Sequence, residues 1–426
     1  MIQTQSTIVS TPANSGNDLL TKEEARVARH ELRRHKMVAF ALVAPLLFFL
    51  FFAFVAPIGT MLYRGFYNPV VAELIPLTLK KLEAWDGKGL PDETVLIRMA
   101  IDLKRLAKIR KSGKLAEEIN RHNPGSSSVI KSTARKLRRT DDAELTQNGA
   151  ALLLAANKKW SDKSLWHAVR KAGQIYTEAY YLTAMDLERN FQGKLQIRRS
   201  TQIYIKLYLK TLKMALIITL LCLLLGYPLA YYLANAPSKK ANLLMIFVLL
   251  PFWTSLLVRT TAWIALLQTN GVVNTFLISL HIVAQPLEML YTEFSTIIAM
   301  THILLPFMIL PLYSVMKGID KSYMQAAVSM GAHPLRAFSN VYLPNTLLGI
   351  SAGVLLVFII SVGYYITPAL VGGTAGQMIS NIIAFHMQQS NNWGLAASLG
   401  TILLVLILTL YWVYDRFVGA SNIKFG

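Results

Sequence analysis

The chain has 426 residues, of which 54% are hydrophobic and only 15% charged, a balance that excludes an ordinary soluble domain and points to a polytopic membrane protein. Its formal charge of +20 does not indicate a nucleic-acid binder: of 43 Lys and Arg, six precede Met37, 29 lie between Arg64 and Lys213 and eight follow, so the excess is one block beside long apolar runs. The single cysteine, Cys222, lies within an apolar run, which rules out an intrachain disulfide or a cysteine-built metal site and leaves packing as its expected role.

Residues 1–36 form an N-terminal tail ending in the basic stretch "RHELRRHK". The apolar run over 37–63 is about twice the length of the ~7–15-residue core of a cleavable signal and has no clear small-x-small site after it. It is read as a retained first transmembrane helix. Residues 64–208 form an insert. Within it, "ETVLIRMAIDLKRLAKI" places Leu96, Met99, Leu103 and Leu106 on one helical face, and "SLWHAVRKAGQIYTEAYYL" does the same for Leu165, Val169, Ala172 and Tyr176. Between them "RHNPGSSS", from Arg121, marks a turn, so the insert is expected to be a small helical domain with loose connections.

A helical span needs about 20 apolar residues at ~1.5 Å each. Beyond the first, five further stretches qualify, approximately Lys213 to Ala234, Leu243 to Leu267, Phe294 to Met316, Thr346 to Leu370 and Leu395 to Tyr414. They make up a core over 209–418, followed by a tail over 419–426. No internal repeat is present, so the spans form one bundle. The expected fold is an all-α membrane protein with six transmembrane helices and a large helical insert between the first and second.

Orientation follows from the short loops, because Lys and Arg are retained on the cytoplasmic side. The loops from Gln268 to Glu293 and from Val371 to Trp393 contain neither residue, whereas Lys239, Lys240, Lys317, Lys321, Arg336, Arg416 and the N-terminal cluster lie on the opposite face. Both termini are therefore expected in the cytoplasm. The insert, with 27 Lys and Arg between Arg64 and Tyr208, then falls outside; long loops translocate largely regardless of charge.

The stretch "SYMQAAVSMGAHPLRAFSNVYLP", Ser322 to Pro344, lies on the cytoplasmic face in this topology. Ser322 and Gln325 have capping-box spacing. Tyr323, Ala326, Ala327 and Met330 fall at i, i+3, i+4 and i+7, an apolar stripe of small footprint. Gly331 suits a left-handed helix stop, and Pro334 the first turn of a second short helix carrying Leu335, Phe338 and Val341. A helix, bend and helix of this kind suits either a partner's surface or the lipid headgroups.

The order Gln325-Ala326-Ala327, three residues, Gly331, nine residues, then Val341-Tyr342-Leu343-Pro344 resembles the signature loop of the integral-membrane permeases of binding-protein-dependent ABC importers. "LGYPLAYYLA" from Leu225, "LLPFWTSLLVRTTAWIALLQTNGVVN" from Leu249, "LPFMILPLY" from Leu305 and "YYITPALVGG" from Tyr364 are similar to the spermidine/putrescine-type branch, over roughly residues 210 to 418. Four motifs in order make the resemblance specific; the insert has no part in it. The resemblance implies a type I importer permease of the bacterial inner membrane, whose 320–344 loop couples to separate ATP-binding subunits through Gln325, Ala326, Ala327, Gly331, Leu343 and Pro344. Gln325 stands where the family usually has Glu, which puts a salt bridge to the ATPase in doubt. The implied partners are two ATP-binding subunits, a second permease, favoured to be a different chain, and an extracytoplasmic solute-binding protein. The chain itself is expected to be a transport subunit without cofactor and not an enzyme, since it has no Gly-x-x-x-x-Gly-Lys-Ser/Thr phosphate loop.

Within the spans, Arg259 is costly in lipid and should face protein or water. Arg259 and His302 each sit about eight residues from the outer end of their helices, with Trp263 and Tyr364 at comparable depth. These four are expected to line the outer part of a translocation path; the structural alternative has Arg259 stacking on Trp263 and His302 bonding between helices. Pro228, Pro251, Pro306, Pro311 and Pro368 kink the spans or permit them to rock. No Asp or Glu occurs inside the last five spans, which weakens a polyamine site there; amino-acid or organic-acid derivatives are the second substrate class. A different class of function, a membrane-anchored sensor or interaction protein acting through its basic external domain, stays open. An ion-driven transporter is disfavoured by the missing repeats and missing intramembrane acids.

Overall fold

The computed structural model describes residues 22–189, 194–198 and 202–418. Most of the 1–36 tail and the whole 419–426 tail lie outside the described residues. Two units emerge, one ending at Met61 and one beginning at Leu62.

The first unit is a rod: α1 (Lys22–Leu50), a wide turn over Phe51–Val55, and α2 (Ala56–Arg64), which runs on past the boundary. The stretch His35–Arg64 is 30 residues long and none of its most apolar part is buried. Its phenylalanines, Phe40, Phe48, Phe49, Phe51, Phe52 and Phe54, are all exposed, as expected where lipid is the solvent.

The second unit begins with the insert, a helical domain with its own core. Its elements are α3 (Val70–Leu74), α4 (Pro76–Leu82), α5 (Glu93–Lys108), α6 (Ser112–His122), α7 (Ser126–Leu137), α8 (Asp142–Ala156), α9 (Lys163–Ala172), α10 (Ala179–Ala184) and a small antiparallel pair, β1 (Leu187–Arg189) and β2 (Leu195–Ile197). The expected face of α5 is buried throughout, as are Leu165, Val169 and Ala172 of α9. Tyr176 is exposed instead, because α9 stops at Ala172 before the pattern reaches it. Trp160 and Trp166 fill the centre. The Trp160 indole donates to Thr133 Oγ1 at 2.9 Å and that of Trp166 to the Trp160 carbonyl at 2.9 Å, so neither buried N–H is left unpaired. The connections are tight rather than loose: Asp141, Asn157 and Asp162 each cap the helix that follows, and Gly125 turns the chain between α6 and α7 at φ 89°. His122, half-buried beside Lys171 and Arg121, is held neutral: burial, then the two neighbouring cations, push its pKa down to about 4.

The bundle follows: α11 (Tyr204–Asn235), α12 (Ser238–Trp253), α13 (Leu256–Leu267), α14 (Val272–Ser279), α15 (Glu293–Lys317), α16 (Lys321–Ser329), α17 (Pro334–Ala337), α18 (Leu343–Asn345), α19 (Leu347–Gly363), α20 (Ile366–Val371), α21 (Ile379–Gln388) and α22 (Trp393–Val418). Helix α15 is its axis. Gly226 of α11 and Gly349 and Gly353 of α19 lie against it so closely that a Cβ on Gly353 would come within 2.7 Å of Met308 Sδ, and one on Gly349 within 3.2 Å of the Leu312 backbone. Small residues here replace side-chain interdigitation with close backbone approach, the usual solution where lipid removes the hydrophobic drive between helices.

Among the described residues, four helices are long and apolar enough to cross a membrane: His35–Arg64, Tyr204–Asn235, Glu293–Lys317 and Trp393–Arg416. Two further crossings result only if each of two bent pairs is counted as one, Ser238–Trp253 with Leu256–Ser279 and Pro334–Asn345 with Leu347–Gly363. The stretch Leu243 to Leu267, expected as one span, breaks at Thr254 and Ser255, and the two sides diverge by 98°. The stretch Thr346 to Leu370 also divides, because the helix that begins at Leu347 stops at Gly363 and α20 starts at Ile366.

Insert and bundle are joined at one end of the bundle. Buried Asp186, just before β1, accepts hydrogen bonds from the backbone N–H groups of Ile203, Tyr204 and Ile205 at 3.2, 3.2 and 2.8 Å, so a carboxylate of the insert caps α11. Tyr180 packs on Gly394 of α22, where any Cβ would collide with the ring. Tyr181 Oη reaches Thr401 at 3.3 Å, and the Arg64 guanidinium lies over the Trp393 ring at 5.5 Å. Glu293, opening α15, pairs with Lys210 and Lys213 of α11 at this same end.

Candidate functional site

Two constellations stand at opposite ends of the bundle. The first is the segment from Asp320 to Thr346, at the end where Lys317 approaches the Ala234 carbonyl. The Ser322–Gln325 capping box does not form. Asp320 takes the cap instead, accepting from Ser322 N at 2.8 Å, so α16 begins at Lys321; that bond holds the Asp320 carboxyl below the usual range. An ionised carboxylate is the stronger acceptor, and it leaves Gln325 exposed and unengaged.

The helix ends as expected. Gly331 has φ 90°, Gly331 N bonds to Val328 O at 2.9 Å and Ala332 N to Ala327 O at 3.1 Å, a paired left-handed stop. Pro334 opens α17, and the chain passes through a wide turn over Phe338–Tyr342 into α18. Phe338 and Tyr342 stack at 5.6 Å, and Tyr231 of α11 meets Tyr342 edge-on at 5.1 Å. This aromatic set and the buried Ala327 and Ala337 fix the elbow to the bundle. Ala327 therefore faces inward, unlike the rest of the expected stripe. Tyr323, Ala326 and Met330 face out together with Val328 and Leu335, Met330 being 81% and Leu335 74% exposed. Leu343 is half-buried and Pro344 exposed where the chain turns into α19.

The second constellation gathers all four of the intramembrane residues. Trp263 on α13 donates its indole N–H to His302 Nδ1 on α15 at 3.2 Å, with the rings edge to face at 5.7 Å. Nδ1 is then an acceptor, which leaves the proton of the neutral ring on Nε2. Arg259, one turn before Trp263, is near enough for its charge to act on both His302 and Tyr364. Its Nε is buried without a hydrogen-bond partner among the described residues. Of the purely structural alternative, the stack of Arg259 on Trp263 is absent among the described residues, whereas the bond of His302 between helices is present, to Trp263.

The supporting residues were not visible as such in the sequence. Tyr364 and Tyr365 sit where α19 breaks, and their freed carbonyls accept from Ser380 Oγ at 2.6 Å and Asn381 Nδ2 at 2.7 Å. Buried Thr260 and Thr367 face each other at 3.4 Å and join α13 to α20. Irregular backbone within a bundle is tolerated only when its polar groups are met in this way. The one available signal was a run of small polar residues, Ser380 and Asn381, opening an otherwise apolar stretch. The result is a site rich in donors and aromatic faces, with no carboxylate among the four residues.

An importer permease is what this architecture describes, a bundle built on close glycine contacts with broken helices at one end and a rigid, partly apolar elbow at the other. Residues 226–420 match the family described as the binding-protein-dependent transport system inner membrane component, and the chain belongs to that family. It is 38% identical over 220 residues to the spermidine/putrescine transport system permease protein PotB of Escherichia coli K12, covering 51% of this chain and 80% of that one. The Haemophilus influenzae protein of the same name is also 38% identical, with 77% of it covered. The E. coli inner membrane ABC transporter permease protein YdcU is 33% identical over 231 residues, or 50% of this chain and 72% of the relative. A solved bacterial alginate ABC transporter is 18% identical with a TM-score of 0.43, covering 52% of this chain and 81% of its own. The protein is thus an inner-membrane transport subunit and not an enzyme. About half of it lies outside what these relatives share.

Proposed function

We propose that the chain forms, with a second permease subunit of different sequence, the translocation path for a small hydrophilic solute, and that it is driven by two separate ATP-binding subunits and supplied by a solute-binding protein. Counting α12 with α13 as one crossing and α19 as another, with the segment before Leu347 left outside the span, gives six. The basic short loops support an orientation with both termini and the 320–344 elbow in the cytoplasm and the insert outside. The relatives' polyamine transport makes spermidine or putrescine the first substrate class, with amino-acid and organic-acid derivatives second because the path residues include no carboxylate.

The observation that carries the reading is the elbow: an outward facet of Tyr323, Ala326, Met330 and Leu335 on a segment whose other side is locked to the bundle by Ala327, Ala337 and Tyr342. An apolar facet on a rigid arm can receive a push from a partner and pass it to α11 and α19 without deforming. ATP-driven closure of the ATP-binding subunits then shifts the elbow and re-aims the helices around Arg259, Trp263, His302 and Tyr364, alternately opening the path to each side. Gln325, exposed on the same helix, supplies a neutral hydrogen-bonding contact where the family's Glu would supply a charge.

The test is co-purification of the ATP-binding subunits with wild type and with Ala326→Glu and Met330→Asp. Both positions are exposed, so these variants leave the fold of the elbow intact. ATPase activity that accompanies the wild type and falls at least tenfold with either variant supports the reading. Equal activity with all three overturns the elbow's role, and absence of any ATPase from the wild type removes the importer reading in favour of an anchored interaction protein. Arg259→Gln with unchanged uptake and unchanged coupling removes that residue from the path.

A further inference from the structure

The insert's charge is not spread evenly. Arg121, at the C-terminal end of α6, donates to the Asn391 carbonyl of the bundle at 3.4 Å. The opposite end of α6 is about 15 Å away along its axis at ~1.5 Å per residue. Helix α7 runs back beside it, as the 3.9 Å pair between Lys131 and Glu117 shows, so the C-terminus of α7 lies at that far end. The ion pair between Lys104 and Asp142 brings the C-terminal turns of α5 and the start of α8 to the same place.

Gathered there and exposed are Lys108, Arg110, Lys111, Lys114, Arg138 and Arg139. Of the acids nearby, Asp142 is occupied by Lys104, Glu117 faces Lys131 and Asp141 caps α8, which leaves Glu144. Lys108 in the last turn of α5 is explained by the partial negative charge of a helix C-terminus. Arg138, at the C-cap of α7, is explained in the same way, whereas Lys111 and Lys114 stand at the start of α6, where that partial charge is positive and opposes them. Arg110 is also held at φ 57°, with Lys111 N closing onto Leu106 O at 2.9 Å, the same left-handed stop that Gly331 makes freely on α16. A cation thus occupies a position where glycine is the unstrained choice, and such outliers gather at sites under another constraint.

We propose that this far end of the insert is a docking surface for a soluble protein with an acidic face, and that in the assembled importer this partner is the solute-binding protein. The inference rests on the permease reading above. Lipid headgroups are the poorer match, because the exposed cations collect at the end of α6 and α7 away from the bundle contact, whereas the cations beside the bundle are engaged, Arg64 by the Trp393 ring and Arg121 by Glu118 and the Asn391 carbonyl. Opposed charge would steer the partner's approach and fix its orientation. The cap by Asp186 and the Tyr180–Gly394 contact would transmit its arrival to α11 and α22.

The experiment uses the whole importer in nanodiscs with its purified solute-binding protein, reading the concentration that gives half-maximal ATPase stimulation. Two double charge reversals are compared with wild type: Arg138→Glu with Arg139→Glu at the patch, and Lys80→Glu with Lys81→Glu elsewhere on the insert. The patch variant should need at least tenfold more binding protein, with basal ATPase unchanged, and the wild-type value should rise steeply between 50 and about 200 mM salt as the Debye length shortens. The Lys80/Lys81 variant should behave as wild type. Equal half-maximal concentrations for all three proteins would overturn the proposal while leaving the permease reading intact. No stimulation of the wild type would instead undermine the permease reading itself. An effect that follows the phosphatidylglycerol content of the nanodisc and not the patch's charge would assign the patch to lipid, and overturn the proposal as well.

Discussion

The insert and the bundle solve the packing problem in different ways. The insert is held by large side chains: Trp160, Trp166, Met99, Leu103 and Leu106 are fully enclosed, and Asp102, one of the charged residues buried in the insert, is met by Thr78, Arg98 and Arg105. The bundle adds to its own enclosed Ile218, Leu304, Met308 and Leu312 the absence of side chains at Gly226, Gly349 and Gly353, which lets α11 and α19 close on α15, while many other leucines and phenylalanines point outward. Water drives the first arrangement, because apolar area removed from it is the main source of stability. Lipid offers no such gain, so the second relies on close contact and on meeting every freed backbone group. The two halves should therefore fail under different insults.

The largest effect is expected from Trp160→Ala. Truncating a fully enclosed Trp costs about 3–5 kcal/mol, and the Thr133 hydroxyl also loses its partner. Hydrogen exchange in nanodiscs should show protection lost across α5 to α9 and retained in α15; loss in both would contradict the separation of the two cores.

Acid should divide them next. His122 binds a proton at about 6.5 when unfolded but only near 4 when folded. Its contribution is therefore fully present above pH 6.5 and is lost as pH falls towards 4, up to about 3 kcal/mol at 1.36 kcal/mol per pH unit. Insert stability followed by exchange or proteolysis from pH 7 to 4 should fall by that amount, and His122→Gln should flatten the slope. An unchanged slope would assign the acid sensitivity to other groups.

A smaller but opposite insult is Gly353→Leu. The added side chain meets Met308 at the axis of the bundle, and overpacking of this kind costs about 1–3 kcal/mol. Thermal stability in detergent should drop with the insert's exchange pattern unaltered; tolerance of Leu would mean that α19 does not need to approach α15 so closely.

Much of this was legible from residues. Leu96, Met99, Leu103 and Leu106 announced a buried face by spacing alone, Gly331 announced a helix stop, and Pro334 a helix start. Other features were hidden because they depend on competition between neighbours. Asp320 displaced Ser322 as the cap of α16 by being a better acceptor, and Tyr176 fell outside its helix because α9 ended one turn early. Ala327, placed by spacing on an outward stripe, is buried because the wide turn over Phe338–Tyr342 folds back over it.

By itself the sequence determined that this is a helical membrane protein of the importer-permease family with a basic insert, since composition, span length and the order of short motifs are local properties. Only the tertiary structure decided that two of the expected spans are broken, that Trp263 and His302 bond while Arg259 Nε has no partner among the described residues, and that the insert is bound to the bundle by Asp186 and Tyr180. Each of these depends on groups far apart in the chain satisfying, or failing to satisfy, one another, and no local pattern encodes which partner arrives.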